Sequence, residues 1–348
     1  MKTKKLIWRF LKANFQAPSS LIKLNFVLTY QCNSRCSMCN IWKKGKTGKE
    51  LTIGEIEQFF SKSNEFSWID LSGGEIFLRD DLQDVAKIII SKCEDLFLFH
   101  FATNGLLTDR VVTFVGWLLK SQNVPKVLVT VSVDGYESLH DKIRGVPGGF
   151  KKTIATFAAL RKFNSKKFKV FLGMTIGKDN FSGLNKTIDA VKELIPDFNH
   201  TELHVNILQE SEHYYDNKTG SNGDQRYLFD VIKKIRDQRP RKRLSPVAFL
   251  EDKYLKLSKK FLQDHHCPLP CKSGVVSCFI DPSGDVYPCV AFSKLIGNIR
   301  DYGYELKKLL ASSRAQDIIR DIRRGDCPHC WTPCEAYQTI MANILRVF

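Results

Sequence analysis

No stretch of this 348-residue sequence approaches the roughly 20 consecutive apolar residues that a membrane-spanning helix needs, so no membrane span is expected. A secretory pattern is missing too. Residues 1–12 carry five Lys/Arg but no apolar run ending in a small-residue cleavage site, and the expected compartment is reducing and cytoplasmic. There are no internal repeats and no low-complexity tracts, which sets aside solenoids and compositionally disordered arrays. Acidic residues are scarce: 37 against 53 basic, for a net charge of +16. That surplus suits an anionic membrane, a phosphorylated substrate or a nucleic acid. No nucleic-acid-binding module accompanies it, so no nucleic-acid partner is expected, and solvated helix ends explain most of it more simply.

Cysteine, by contrast, is abundant and unevenly placed. Of 11 cysteines, three fall in residues 32–39, seven in residues 267–334, and Cys93 stands alone. Clustering at short spacings favours metal or cluster ligation over scattered core thiols. A disulfide framework is the alternative, and it fits poorly with so long a chain in a reducing compartment. A hydrophobic content of 43% with 26% charged residues describes a globular chain. Its length suits one large α/β domain with a small appendage, or two ordinary domains.

Strand-like and helix-like segments alternate through the first two thirds. Residues 23–29, 68–71, 96–103, 127–133, 169–176 and 202–208 have strand composition. Helices are expected at 51–63, 81–93, 109–119, 150–163, 184–194 and 225–236, the first opened by a capping box of Thr52 and Glu55. Strand–helix alternation six times over implies parallel strands with right-handed crossovers. Six units are fewer than the eight of a closed barrel. The expected fold class is therefore α/β, a partial (β/α)6 TIM-like barrel, although a doubly wound sheet gives the same string. A basic, proline-containing break at 239–243 ends the pattern, and residues 245–263 read as a connecting helix. From Cys267 the texture becomes hairpin, loop and helix, with strands at 275–280 and 286–289 around an Asp281–Gly284 turn and a helix over 306–323. The expected division is a basic N-terminal segment (1–20), the barrel (21–240), the connecting helix (241–266) and a small β-hairpin/helix cluster-binding domain (267–348).

Cys32, Cys36 and Cys39 place three thiolates within eight residues just after the first strand. A four-iron cluster held by three cysteines keeps one iron free for an exchangeable ligand. A closed structural zinc site wants four ligands, and no fourth lies nearby. Further motifs sit at later strand ends: Gly73-Gly74-Glu75 after the second, Asn104 in Thr103-Asn104-Gly105 after the third, and Ser132-Val133-Asp134-Gly135 followed by His140-Asp141 and Arg144-Gly145 after the fourth.

The pattern Cys-x3-Cys-x2-Cys after a first strand, followed by the GGE turn and the fourth-strand motif, resembles the radical S-adenosylmethionine superfamily. The resemblance implies a [4Fe–4S] cluster coordinated by Cys32, Cys36 and Cys39 and by exchangeable S-adenosylmethionine, whose reductive cleavage yields a 5′-deoxyadenosyl radical that takes a substrate hydrogen. It also implies cosubstrate contacts from Met38 near the adenine, from Gly73, Gly74 and Glu75 to the methionyl amine, and from Asn104 and Ser132. Arg144 either pairs the cosubstrate carboxylate or braces its loop against Asp141. Asp134 is expected to cap or turn the chain, and Thr175 to lie near the adenine.

Cys271-x12-Gly284-x4-Cys289 followed by Cys327-x2-Cys330 resembles the twitch/SPASM auxiliary cluster domain of the same superfamily. The resemblance implies a second, auxiliary [4Fe–4S] cluster on Cys271, Cys289, Cys327 and Cys330, with Cys334 and Cys267 as possible replacements; a zinc ribbon is the alternative. Cys278, in mid-strand, is expected in the core. The implied function is oxidation, such as dehydrogenation of a sugar or other small metabolite, with peptide cross-linking or maturation as the rival. A non-enzymatic zinc or iron–sulfur nucleic-acid-binding protein is the distant alternative. An external electron donor such as flavodoxin or ferredoxin is implied. No acid–base residue is identified, and substrate recognition is expected in loops such as 209–222 and in the C-terminal module. Leu6, Ile7, Phe10 and Leu11 recur at helical spacing among Lys4, Lys5, Arg9 and Lys12, so the N-terminal helix either docks on its own domain or makes peripheral membrane contact.

Overall fold

A computed structural model describes residues 2–46, 48–218, 227–239 and 245–347. In chain order it forms α1 (Lys2–Ala13), β1 (Lys23–Val27), α2 (Ile41–Lys44), α3 (Ile53–Lys62), β2 (Trp68–Ser72), α4 (Leu82–Lys92), β3 (Leu98–Thr103), α5 (Thr108–Lys120), β4 (Lys126–Ser132), α6 (Glu137–Arg144), α7 (Gly149–Arg161), β5 (Phe168–Ile176), α8 (Leu184–Leu194) and β6 (Leu203–Ile207). Then follow α9 (Leu228–Asp237), α10 (Pro246–Asp264), β7 (Ser277–Ile280), β8 (Asp285–Tyr287), β9 (Gly297–Asn298), α11 (Leu306–Leu310), α12 (Ser313–Arg324) and α13 (Pro333–Met341). The first residues of the helix expected at 225–236, and most of the basic break at 239–243, lie outside the described residues.

Strands β1 to β6 pair in sequential order and in parallel, and β6 ends the sheet, so the barrel is partial. Each strand alternates its side chains between two faces. On the outer face Leu24, Phe26, Ile69, Leu71, Phe99, Phe101, Val127, Val129, Leu172 and Val205 join the main apolar core beneath the helices. At about 25 cal/mol per Å² of apolar surface this burial is the principal drive for the fold. The opposite face lines a lumen and is far more polar: Lys23 and Asn25 on β1, Asp70 and Ser72 on β2, His100 on β3, Thr130 and Ser132 on β4, Thr175 on β5, His204 and Asn206 on β6.

The hairpin at the C-terminal end does not stand apart. Strand β7 pairs in parallel with β1, from Lys23↔Ser277 to Phe26↔Ile280, and β8 and β9 continue the same nine-stranded sheet. Helix α13 closes over the lumen face of β1: Lys23 Nζ donates to the carbonyl of Cys334 at 2.6 Å, and Asn25 Nδ2 donates to Glu335 Oε1 at 3.1 Å. The helix expected over 306–323 is two helices, because the Ser312 side chain caps a new N-terminus by accepting from the Ala315 amide at 3.2 Å. Helices α6 and α13 went unmarked in the sequence.

Candidate active site

The cysteine loop leaves β1 at its C-terminal end and is fixed on three sides. The glycine turn after β2 holds its entrance. Gly74 N donates to Thr29 O at 2.8 Å and Glu75 N to Gln31 O at 2.7 Å. A Cβ on Gly74 would lie 2.1 Å from Gln31 O, and one on Gly73 would lie 2.5 Å from Thr29 O, so side chains there would push the loop away. The end of α6 holds its middle, where Arg35 N and Ser37 N donate to the carbonyls of Arg144 and Ile143, each at 2.8 Å. The segment 209–217 holds its far end. Asn217 Nδ2 donates to Met38 O at 3.0 Å, Asn40 N donates to Tyr215 O at 2.8 Å, and the Tyr214 hydroxyl reaches Ser72 Oγ at 2.7 Å and Gly73 O at 3.1 Å. This part of the loop expected to recognise substrate therefore braces the cysteines, while residues 219–222 lie outside the described residues.

Cys32, Cys36 and Cys39 are brought together, half-buried and reduced, with the Arg144 guanidinium beside them at 3.7 Å from Cys36 Sγ. Burial pushes the Cys32 thiol up to about 11 and Cys39 up to about 12. Without a metal such thiols stay protonated, and binding iron would release their protons. Arg144 settles on Asp134, not Asp141: its Nε lies 2.6 Å from Asp134 Oδ2. Asp141 instead accepts from Gly148 N at 2.5 Å and Phe150 N at 2.8 Å. Asp134 neither caps nor turns the chain alone, since its Oδ1 also accepts from Thr175 N at 2.9 Å and ties the ends of β4 and β5 together.

Glu75 is buried, and its carboxylate accepts from Asn104 N at 2.7 Å, Thr103 Oγ1 at 3.0 Å and Phe77 N at 3.3 Å. Burial still lifts it to about 7. The side chain thus holds the turn against β3, leaving the glycine backbone as the accessible part of this motif. Asn104 likewise donates its amide to Asn33 Oδ1 at 2.6 Å and Ser34 Oγ at 3.1 Å within the cysteine loop. Ser132 and Met38 remain half-buried.

Sequence reasoning missed a polar chain in the lumen below the loop. Lys23, fully buried, places Nζ 2.8 Å from Asp70 Oδ2 and 4.3 Å from the centre of the Trp68 ring. Burial alone would lift Asp70, but Lys23 and His100 hold its carboxyl well below the usual range. Asp70 Oδ1 lies 3.1 Å from His100 Nδ1, and His100 Nε2 lies 3.0 Å from Thr130 Oγ1. An ionised Asp70 only accepts, so Nδ1 carries a ring proton, and in the neutral imidazole Nε2 is the acceptor. His100 keeps 26% of its side chain accessible. Beyond it Phe171 and His204 stack at 4.0 Å. The composition of residues 96–103 signalled a strand, but nothing local marked His100 as paired.

The distal cysteines form a second centre. A cavity of about 290 Å³ is lined by Cys267, Cys271, Cys289, Cys327 and Cys330. Cys334 lines no part of it and instead opens α13 beside the lumen, while Cys278 is fully buried in β7. Cys267 belongs with the other four: its thiol shares a hydrogen bond with Cys271 that holds Cys271 down and Cys267 up. Burial raises Cys289 and Cys330 well above the ordinary thiol range. Glu335 lies between this cavity and the lumen, accepting from Ser273 Oγ at 2.9 Å, Ser277 Oγ at 3.1 Å and Gln338 Nε2 at 2.7 Å.

Comparison with known proteins agrees with this two-centre arrangement. Residues 26–191 match the Radical SAM superfamily, and residues 271–335 match SPASM, an iron-sulfur cluster-binding domain. The chain is 27% identical to the AdoMet-dependent heme synthase of Methanosarcina barkeri (strain Fusaro / DSM 804), across 87% of this chain and 86% of that protein. It is 25% identical to the antilisterial bacteriocin subtilosin biosynthesis protein AlbA of Bacillus subtilis (strain 168), across 80% of this chain but 58% of that one. Among solved structures, native anSMEcpe with bound AdoMet superposes with a TM-score of 0.57 at 15% identity, covering 93% of this chain and 98% of that chain; the likeness is one of fold.

Proposed function

We propose, from the premise that this chain is a radical S-adenosylmethionine superfamily enzyme with a C-terminal SPASM domain, that it oxidises a small molecule by two electrons inside the strand-lined lumen. The observation that carries this reading is His100, a lumen-facing proton acceptor whose hydrogen-bonded chain through Asp70 and Lys23 runs to the carbonyl of Cys334, four residues beyond Cys330. Cys32, Cys36 and Cys39 would hold the first [4Fe–4S] cluster, and four of the five cavity cysteines the auxiliary one. Met38, the Gly73-Gly74 backbone and Ser132 would border S-adenosylmethionine, with Glu75 and Asn104 as positioning residues. When bound, these groups supply hydrogen-atom abstraction at the first centre and an electron acceptor at the second.

The protein's own contribution is to orient the substrate and move a proton. Two-electron oxidation of a carbon–hydrogen centre takes away one hydrogen atom, one electron and one proton. His100 Nε2 receives that proton, and Asp70, kept ionised by Lys23, stabilises the resulting imidazolium. Thr130, on Nε2, orients the hydrogen bond that the substrate would replace. Arg144 beside Cys36 favours the thiolate form of the loop. An external one-electron donor such as flavodoxin or ferredoxin completes the cycle.

The test is anaerobic incubation of the reconstituted enzyme with reductant, S-adenosylmethionine and a small-molecule extract, followed by mass spectrometry. The expected product is a metabolite lighter by two hydrogens. His100→Gln should still form 5′-deoxyadenosine while losing about 10²-fold or more in product. Undiminished product from His100→Gln would remove the assigned base. A mass change confined to added peptides would favour the second reading, peptide maturation, which the similarity to AlbA supports.

A further inference from the structure

The N-terminal helix resolves the choice between docking on its own domain and lying on a membrane by having a face for each. Leu6, Phe10 and Ala13 of α1 are buried against Ile22, Val276 and Ala342. Arg9 clamps the helix from within: its guanidinium donates to Glu65 O at 2.6 Å, Ser67 Oγ at 2.8 Å, Ser20 Oγ at 2.9 Å and Leu21 O at 2.7 Å. Lys272 Nζ donates to Ala13 O at 3.0 Å and secures the C-terminal end. The helix cannot turn to hide its outer side without breaking these bonds.

That outer side is apolar. Ile7 is 54% exposed, Trp8 65%, Leu11 38% and Phe15 80%, and Leu345, 57% exposed, abuts them through a 3.3 Å bond from its amide to Asn14 Oδ1. Five of the seven large exposed hydrophobic residues among the described residues therefore fall in one patch, where a scattered distribution would need no explanation. Its surroundings are basic. The segment Lys2–Ala13 contains no acidic residue, Lys4, Lys5 and Lys12 are exposed, and Arg346 follows Leu345. Lys5 pairs with Asp95.

We infer that this patch is a docking surface for an anionic phospholipid membrane, independent of the radical chemistry. Aromatic and aliphatic side chains entering the headgroup boundary, with lysines around them reaching acidic headgroups, is the arrangement of an interfacial helix. The charge picks lipid over a second copy of the chain, because two such patches face to face would bring their lysines together. The contact is peripheral, since no helix among the described residues is long and apolar enough to cross a bilayer.

The experiment is co-sedimentation of the full cluster-loaded chain with phosphatidylcholine vesicles, with and without phosphatidylglycerol, while recording tryptophan emission. The chain should pellet with the phosphatidylglycerol vesicles at low salt, shift its emission to the blue as Trp8 leaves water, and release as salt rises. The Trp8→Glu, Phe15→Glu pair should stay in the supernatant. The Lys4→Glu, Lys12→Glu pair, which leaves the apolar side chains intact, should bind about tenfold or more weakly. 5′-Deoxyadenosine formation without vesicles should be unchanged in both. Absence of wild-type binding, or variants that bind like wild type, would overturn the assignment. So would a wild-type dimer that Trp8→Glu, Phe15→Glu turns into a monomer, since the patch would then belong to a second copy.

Discussion

Lys23 has the environment a lysine ordinarily avoids. It is fully buried, and its charge is acceptable only because Asp70, the Cys334 carbonyl, Gln338 and the Trp68 face surround it. Removing one partner leaves the other charge buried and uncompensated. Lys23→Met should therefore cost about 3–5 kcal/mol in a denaturant titration, and adding Asp70→Asn should recover much of that loss. A loss below about 1 kcal/mol would mean that water screens the pair. None of this was legible in the sequence, where Lys23 merely opens a strand. Its partners lie 47 and 311 residues away, and periodicity carries no information on which residues a strand will meet. The cysteine spacing and the GGE turn were legible for the opposite reason. Each motif is contiguous in the chain, but the space its glycines leave is not local: a Cβ at Gly74 or Gly73 would lie 2.1 or 2.5 Å from Gln31 O or Thr29 O, 43 and 44 residues earlier.

Among elements, α6 exposes the difference between a motif and its mechanism. The order of residues 132–145 marked a functional region, yet neither the helix Glu137–Arg144 nor the Arg144–Asp134 pair could be read from it. His140 on this helix is 1% exposed and accepts from Asp134 N at 3.2 Å. Burial, reinforced by Arg144, lowers it to about 3, so the folded state holds it neutral. Between about pH 6.5 and 3 the unfolded chain takes up a proton that the folded chain refuses, and stability is lost as pH falls, by about 1.4 kcal/mol per pH unit. His140→Asn keeps an acceptor for Asp134 N and removes the titration. Chemical denaturation at pH 7.5 and 5.5 should show the variant losing about 1.4 kcal/mol less than wild type over that interval. Equal losses would place the acid sensitivity elsewhere. Where sequence merged two helices over 306–323, the N-cap at Ser312 separates them, and Ser312→Ala should cost about 1 kcal/mol, read as a lower thermal midpoint.

At the scale of the molecule, the alternation of strands and helices made a parallel sheet with crossover helices legible, because each unit is built from local crossovers, while the sequential strand order that separates a partial barrel from a doubly wound sheet is seen only in the structure. The pairing of β1 with β7 was not legible, since it joins Lys23 to Ser277 across most of the chain. That pairing matters for function. It makes β1 the shared strand of the two cysteine centres, with Cys32 emerging beyond its C-terminal end and Glu335 bonded across its lumen face. About eight irons are therefore expected per reconstituted chain, and about four in Cys36→Ala or in the Cys289→Ala, Cys330→Ala pair, because the first removes a ligand of the three-cysteine cluster and the second leaves only three of the five cavity cysteines. The cavity lining further predicts that Cys334→Ala and Cys278→Ala keep both.

Under the proposed function the two centres have different duties, one cleaving S-adenosylmethionine and the other accepting an electron. The most direct measurement is 5′-deoxyadenosine formation under anaerobic reducing conditions by wild type, Cys36→Ala and the Cys289→Ala, Cys330→Ala pair side by side. Wild type and the Cys289→Ala, Cys330→Ala pair should both form it, and Cys36→Ala should form none. Formation by Cys36→Ala at the wild-type rate, or no formation by fully iron-loaded wild type, would rule out this division of duties.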